Sequence, residues 1–186
     1  MDFLAAVLKF NENFISGTTS DATSSLPYKK IVVLTCLEAN LSALLSKATG
    51  LKNDQMHIIE IAGVKISNPN DSVMRSIILS ICKQNAEEIW VIGHDGCSME
   101  NMDPSEILNN IIQERKQNTL LTLKDSGIDL EEWLNACGDE AENVRKSVET
   151  IRNHPLVPKN VLVHGLMMDQ TSGKLNVIMR DEKEPR

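Results

Sequence analysis

Short apolar runs alternate along this chain with segments whose apolar residues recur at helical spacing. The runs at 29–36, 57–66 and 87–94 are rich in β-branched residues and show no regular polar alternation. That pattern is typical of strands buried on both faces of a parallel sheet. Because strands and helices alternate, the sequence predicts an α/β fold, a mainly parallel β-sheet flanked by helices.

The segments between and after these runs predict the helices and a last pair of strands. The predicted helices cover 38–49, 73–85, 105–117 and 142–155. Gly50 ends the first of them, Ser72 caps the second and Pro155 stops the last. Cys82 falls on the apolar face of the second helix and is predicted to be buried. Residues 160–178 predict a strand, a turn and a final short strand.

The N-terminal region predicts an amphipathic helix over residues 1–15, because its apolar residues lie close to helical spacing. The small, polar segment 16–28 predicts a linker. A helix tethered in this way can pack on its own body or on a neighbouring subunit. At 186 residues, a single domain over 1–186 is the simplest expectation.

The composition narrows the classes of function. Hydrophobic residues make up 41% of the chain and charged residues 24%, which is typical of a globular protein rather than a disordered or fibrous one. The 26 acidic and 19 basic residues give a net charge of −7, which argues against a nucleic-acid partner. No apolar run is long enough for a transmembrane helix, and the N-terminus lacks the basic flank of a signal peptide. We therefore expect a cytoplasmic protein without a membrane partner.

Two predicted strands end in residues that can bind a metal. Cys36 ends the first strand, and the third runs into His94, with Cys97 following on a predicted tight turn. Because sites in open α/β sheets lie at the carboxyl ends of the strands, these side chains can meet. Two thiolates and an imidazole suit zinc and leave its fourth tetrahedral position open, as in catalytic sites. Two alternatives stay open: each cysteine is a small buried apolar residue, or the chain binds no metal.

A set of short motifs extends this pattern over most of the chain. The motifs are TCLEANL (35–41), IAG (61–63), MRSI (74–77), VIGHDGCSM (91–99), IRNHPLVP (151–158) and VHGLMMDQTSGKL (163–175). From about Lys30 to Ile178, their order resembles the β-class carbonic anhydrases, in particular the small bacterial members of that family. The resemblance implies zinc as the cofactor and Cys36, His94 and Cys97 as its ligands.

The same resemblance implies an activity and an assembly. The activity is the reversible hydration of carbon dioxide to bicarbonate, in which zinc lowers the pKa of the attacking water. The assembly is a homodimer or higher homo-oligomer, because in that family the N-terminal helix packs across a partner subunit.

The chain departs from the family beside its first cysteine. The family motif Cys-x-Asp-x-Arg is Cys36-Leu37-Glu38-Ala39-Asn40 here. In the family, the arginine keeps the aspartate off the metal and available to the attacking water. Asn40 is uncharged and cannot do this. Glu38 is therefore predicted to be either the catalytic acid of a variant site or a fourth zinc ligand, with a simple helix-dipole role as the alternative.

Other departures surround the same place. The family's Arg/Lys-Asn-Ala-Gly segment is Glu60-Ile61-Ala62-Gly63, and the carboxylate in the His94 to Cys97 turn has moved by one position. Arg75 is a candidate for a structural ion pair near the site or for the missing arginine. The residues expected beside the site are Asn40, Ala62, Gly63, Asp95, Gly96 and Arg75.

These departures leave three functional hypotheses. The first is a zinc-dependent carbonic anhydrase of weak or ordinary activity. The second is a zinc-binding pseudoenzyme in which Glu38 fills the open position and the dimer acts as a binding or regulatory protein. The third keeps the enzyme but changes the substrate to carbonyl sulfide or carbon disulfide.

Overall fold

The computed structural model describes residues 2–18, 26–38, 41–114, 127, 129–135 and 138–182. Most of the predicted linker lies outside the described residues, and so do the end of the predicted helix 105–117 and Asn40.

The elements follow one another in an alternating order. They are α1 (Phe3–Ile15), β1 (Ile31–Cys36), α2 (Leu41–Thr49), β2 (Met56–Ile61), α3 (Ser72–Gln84), β3 (Glu88–His94), α4 (Pro104–Glu114), α5 (Leu130–Leu134), α6 (Glu140–Asn153), β4 (Leu162–Met168) and β5 (Leu175–Met179). Among the described helices, none is long and apolar enough to cross a membrane.

The strands form one sheet in the order β2-β1-β3-β4-β5. The first four strands are parallel, and β5 runs antiparallel to β4. Every residue of β1 and β3 is buried, as the runs without polar alternation predict. The predicted α/β fold with a mainly parallel sheet is therefore confirmed.

The second strand is shorter than the predicted 57–66. It ends at Ile61, and a 3₁₀ turn follows over Ala62–Val64. Gly63 takes a left-handed φ of 59°, and Val64 follows with 52°. A backbone with two successive positive φ values cannot continue an extended strand, so the chain turns away from the sheet here.

Helix α3, predicted at 73–85, differs from the prediction in two details. Its N-cap is Asp71 rather than Ser72, since the Asp71 carboxylate accepts a hydrogen bond from the Met74 N–H at 2.8 Å. The prediction that Cys82 is buried is wrong, because its side chain is exposed. The buried face contains Ile77 and Ile81, and Cys82 lies about 100° around the helix from Ile81.

The N-terminal helix packs on its own chain. Asn11 is buried in this contact. Its side-chain amide donates to the carbonyl oxygens of Ala48, at 3.0 Å, and Gly173, at 2.8 Å. Its oxygen accepts from the Leu175 N–H at 2.9 Å. These bonds fasten α1 to the end of α2 and to the turn between β4 and β5, while a role of α1 in a dimer stays a prediction.

Candidate metal centre

Parallel pairing brings two chemistry-bearing strand ends to one edge of the sheet. Cys36 is the last residue of β1, and His94 is the last residue of the neighbouring β3. The chain then reverses at Gly96, whose φ of 70° is easily reached only without a β-carbon. This turn returns Cys97 toward the strands, so that its Sγ lies 3.6 Å from the Sγ of Cys36.

That sulfur–sulfur distance is informative. It is far longer than a disulfide bond of about 2.05 Å. Two thiolates bound to one tetrahedral zinc at about 2.3 Å each would lie about 3.8 Å apart. Both cysteines are free and buried, so the pair has the spacing of two ligands to a single ion.

The imidazole of His94 completes this group. Its Nε2 is buried and has no hydrogen-bond partner among the residues described. Its Nδ1 lies 3.2 Å from the carbonyl oxygen of Asp95, the usual kind of acceptor for the non-ligating N–H of a metal-bound histidine. The unpartnered Nε2 is therefore the ring nitrogen available to an ion.

A fourth side chain, Glu140, joins the cluster from the first turn of α6. Ligand atoms of Cys36, His94, Cys97 and Glu140 all lie within 4.8 Å of one another. The Glu140 carboxylate accepts a hydrogen bond from the backbone N–H of His94 at 3.4 Å. A β-carbon at Gly93 would approach the Glu140 side chain to 3.0 Å, so the glycine leaves room for this close packing.

Burial dominates the electrostatics of the cluster. It raises the pKa of the Glu140 carboxyl, because desolvation disfavours the charged form. Burial, reinforced by the neighbouring Glu140 carboxyl, also raises the pKa of the Cys97 thiol. A divalent cation would reverse this preference, since it stabilises the thiolate and carboxylate forms directly.

Glu38 lies at the rim of the cluster rather than inside it. Its Oε1 accepts from the Ser98 N–H at 2.6 Å, and its Oε2 accepts from Gln170 Nε2 at 3.2 Å. The hydrogen bonds from Ser98 lower the pKa of Glu38. Its Oε2 is 3.9 Å from His94 Nε2, while Glu140 Oε1 is 3.7 Å from the same atom. Two carboxylates therefore face the imidazole.

The other predicted neighbours have varied surroundings. Gly63 is buried, and its carbonyl oxygen accepts from Asn143 Nδ2 at 3.2 Å, which ties the 3₁₀ turn to the helix that carries Glu140. Ala62 is half-buried, whereas Asp95 and Gly96 are exposed. Arg75 is exposed on α3 and forms no ion pair within the described part of the chain.

Sequence reasoning missed Glu140 and Gln170. Glu140 follows Asp139, the N-cap of α6, and an acidic residue there is already explained by the helix dipole. Gln170 follows β4 in an exposed turn, 132 positions from Glu38. No spacing rule connects residues so far apart, so only the fold reveals this contact.

The comparisons with known proteins identify the family. A family model described as carbonic anhydrase matches residues 31–175. The solved structure of β-carbonic anhydrase isoform I from Trichomonas vaginalis matches with a TM-score of 0.72 at 24% identity, covering 98% of this chain and 100% of that one. The chain belongs to the β-class carbonic anhydrase family.

Two relatives of this chain differ in the activity that their names state. YvdA of Bacillus subtilis, which carries a provisional carbonic anhydrase name, is 39% identical over 179 residues, covering 95% of this chain and 91% of YvdA. The carbon disulfide hydrolase of Acidithiobacillus thiooxidans is 27% identical over 168 residues, covering 79% of this chain and 76% of the hydrolase. Family membership therefore leaves the substrate open.

Proposed function

We propose that this chain is a zinc-dependent enzyme that interconverts carbon dioxide and bicarbonate, with Cys36, His94 and Cys97 as the protein ligands. The observation that carries the proposal is the unpartnered, buried His94 Nε2 beside two thiols whose sulfur atoms lie 3.6 Å apart. Soft thiols with an imidazole prefer zinc to magnesium or calcium. When bound, zinc would supply the acidification of the water that attacks the substrate.

The residues around the ligands have separable tasks in this proposal. Glu38 is ionised at neutral pH, since its pKa is lowered, and its rim position lets it accept a hydrogen bond from the attacking water. Glu140 holds the backbone N–H of His94 and so fixes the turn that carries the histidine. The buried surroundings exclude bulk water, which strengthens the electrostatic interactions made there.

A zinc-binding pseudoenzyme is the second candidate. The two carboxylates at 3.7 and 3.9 Å from His94 Nε2 favour it. If either one bound the ion as a fourth ligand, the position needed by water would be filled.

A hydrolase of carbon disulfide or carbonyl sulfide is the third candidate. Its support is the similarity to the carbon disulfide hydrolase. Turnover of the sulfur substrates by protein that cannot hydrate carbon dioxide would select it.

Rapid-mixing measurement of carbon dioxide hydration, on protein with zinc quantified in the same sample, separates these candidates. The expected result is about one zinc per chain and hydration well above the buffer rate. Protein that binds zinc but turns over neither carbon dioxide nor the sulfur substrates would select the pseudoenzyme.

A pair of cysteine variants supplies the control for that measurement. Cys36→Ser is expected to lose both the metal and the activity. Cys82→Ser should retain both, because Cys82 is exposed on α3. Equal zinc contents in the two variants would overturn the ligand assignment.

We also propose that the chain acts as a homodimer or higher homo-oligomer in the cytoplasm. The edge strand β5 supports assembly, since Val177, Ile178 and Met179 are only partly buried there. Light scattering after size exclusion would test the assembly, and a monomer at micromolar concentration would contradict it.

A further inference from the structure

The carboxylate of Glu38 is held from two sides by neutral donors. The Ser98 N–H donates to Oε1 at 2.6 Å, and the Gln170 side-chain amide donates to Oε2 at 3.2 Å. Among the described residues, no lysine or arginine lies within 4 Å of this carboxylate. A backbone N–H and a side-chain amide, both uncharged, therefore hold this carboxylate.

The fold directs Gln170 to this place. Met168 ends β4 opposite His94 in the strand pairing, so the residues after it pass directly beside the cluster. Asp169 then fixes a tight turn, because its carboxylate accepts from the N–H groups of Thr171 at 2.9 Å and Ser172 at 2.7 Å. This turn presents the Gln170 amide to Glu38, and the same side chain lies beside His94 Nδ1.

Glu38 needs to be restrained if the ion is to keep an open position. Two nitrogen or oxygen ligands on one tetrahedral zinc lie about 3.3 Å apart. Glu38 Oε2 is 3.9 Å from His94 Nε2, so to become a ligand it would have to approach that nitrogen by about half an ångström and move inward from the rim. A nearby cation attracts the carboxylate strongly at that range.

We propose that Gln170 is a positioning residue that holds the Glu38 carboxylate at the rim and thereby keeps Glu38 out of the fourth metal position. The inference rests on the proposed function and deepens it. Gln170 touches neither the ion nor the substrate; it acts through its hydrogen bond to Glu38.

Anion binding to the cobalt(II)-substituted protein tests this proposal without relying on activity. Thiocyanate is titrated while the visible absorption of cobalt is followed, since the anion binds only where a metal position is open. Gln170→Leu, which lacks both donors, is expected to weaken thiocyanate binding about 10-fold or more as Glu38 closes the site. Gln170→Arg retains donors and should restore binding. Thr171→Ala, in the same exposed turn, is the matched control and should bind like the wild type.

The Glu38→Ala background identifies the route of the effect. If Gln170 acts through Glu38, the Leu substitution changes thiocyanate affinity in the wild-type background and leaves it unchanged in the Glu38→Ala background. An equal loss in both backgrounds would overturn the proposal, because Gln170 would then act through His94 or the fold. Wild-type protein that binds cobalt but no thiocyanate would also overturn it, since the site would already be closed.

A metal-free measurement separates this inference from the proposed function. The side-chain amide resonance of Gln170, assigned by its loss in Gln170→Leu, is expected to shift in Glu38→Ala apoprotein and to stay in place in Thr171→Ala. Protein that takes up no cobalt or zinc contradicts the proposed function, whereas an unmoved Gln170 resonance contradicts the restraint of Glu38.

Discussion

Replacement of Asn11 by alanine tests how α1 is fastened to the body. The side chain makes three hydrogen bonds, to the carbonyl oxygens of Ala48 and Gly173 and from the N–H of Leu175. Asn11 is 3% exposed, so water cannot easily replace these partners. Asn11→Ala therefore leaves three backbone groups without their bonds.

The structure sets the size of the loss. Three hydrogen bonds at about 1 kcal/mol each predict a fall of about 3 kcal/mol in the free energy of unfolding. For a chain of this size, about 1 kcal/mol lowers the Tm by about 2–4 °C, so a fall of about 6–12 °C is expected. Asn11→Asp keeps the acceptor for Leu175 but sets a carboxylate against two carbonyl oxygens. Its loss at neutral pH should be at least as large.

Urea unfolding of metal-free protein, followed by circular dichroism at one fixed protein concentration, measures this loss. Asn13→Ala is the matched control, because Asn13 is exposed on the same helix and alanine slightly favours a helix. The reasoning would be refuted if Asn11→Ala and Asn13→Ala differed by less than about 1 kcal/mol.

Two further predictions concern buried ionisable residues: Glu88 at the amino end of β3, and His164 in the neighbouring strand β4. Glu88 accepts from Lys29 Nζ at 2.7 Å and from Trp90 Nε1 at 2.9 Å. Glu88→Gln should lower the free energy of unfolding in urea by about 3 kcal/mol, because it leaves the charge of Lys29 without its close carboxylate partner. Glu87→Gln, whose exposed carboxylate is 3.9 Å from the same Nζ, should cost less than about 1 kcal/mol, and equal losses would contradict the ion-pair argument. Burial lowers the pKa of His164 below its ordinary 6.5, so the unfolded chain takes up a proton at a higher pH than the folded one. The contribution of neutral His164 to the free energy of unfolding is therefore full above about pH 6.5 and declines as the pH falls below it. His164→Asn should therefore flatten the fall in stability between about pH 7.5 and 5.5, and an unchanged slope would count against this assignment.

The strand pattern carries most of what the sequence could reveal. Buried strands without polar alternation identify β1 and β3, and their carboxyl ends identify Cys36 and His94 as neighbours. The glycine in the following turn then accounts for the return of Cys97. Each of these steps depends on local pattern and on one general rule about parallel sheets.

The remaining features depend on contacts that local pattern does not encode. Cys82 lies about 100° around the helix from the buried Ile81, so its burial depends on how wide a face of the helix is covered, which local pattern does not specify. Glu140 and Gln170 reach the cluster from elements far along the chain. Their side chains are ordinary for a helix start and a surface turn, so nothing in the sequence marks them.

Anomalous X-ray diffraction at the zinc absorption edge, on crystals grown from zinc-loaded protein, tests the central claim most directly. The account predicts one strong anomalous peak about 2.3 Å from the Sγ atoms of Cys36 and Cys97 and about 2.0–2.1 Å from His94 Nε2. A peak elsewhere, or no peak between these three atoms in protein shown to be fully loaded, would contradict it.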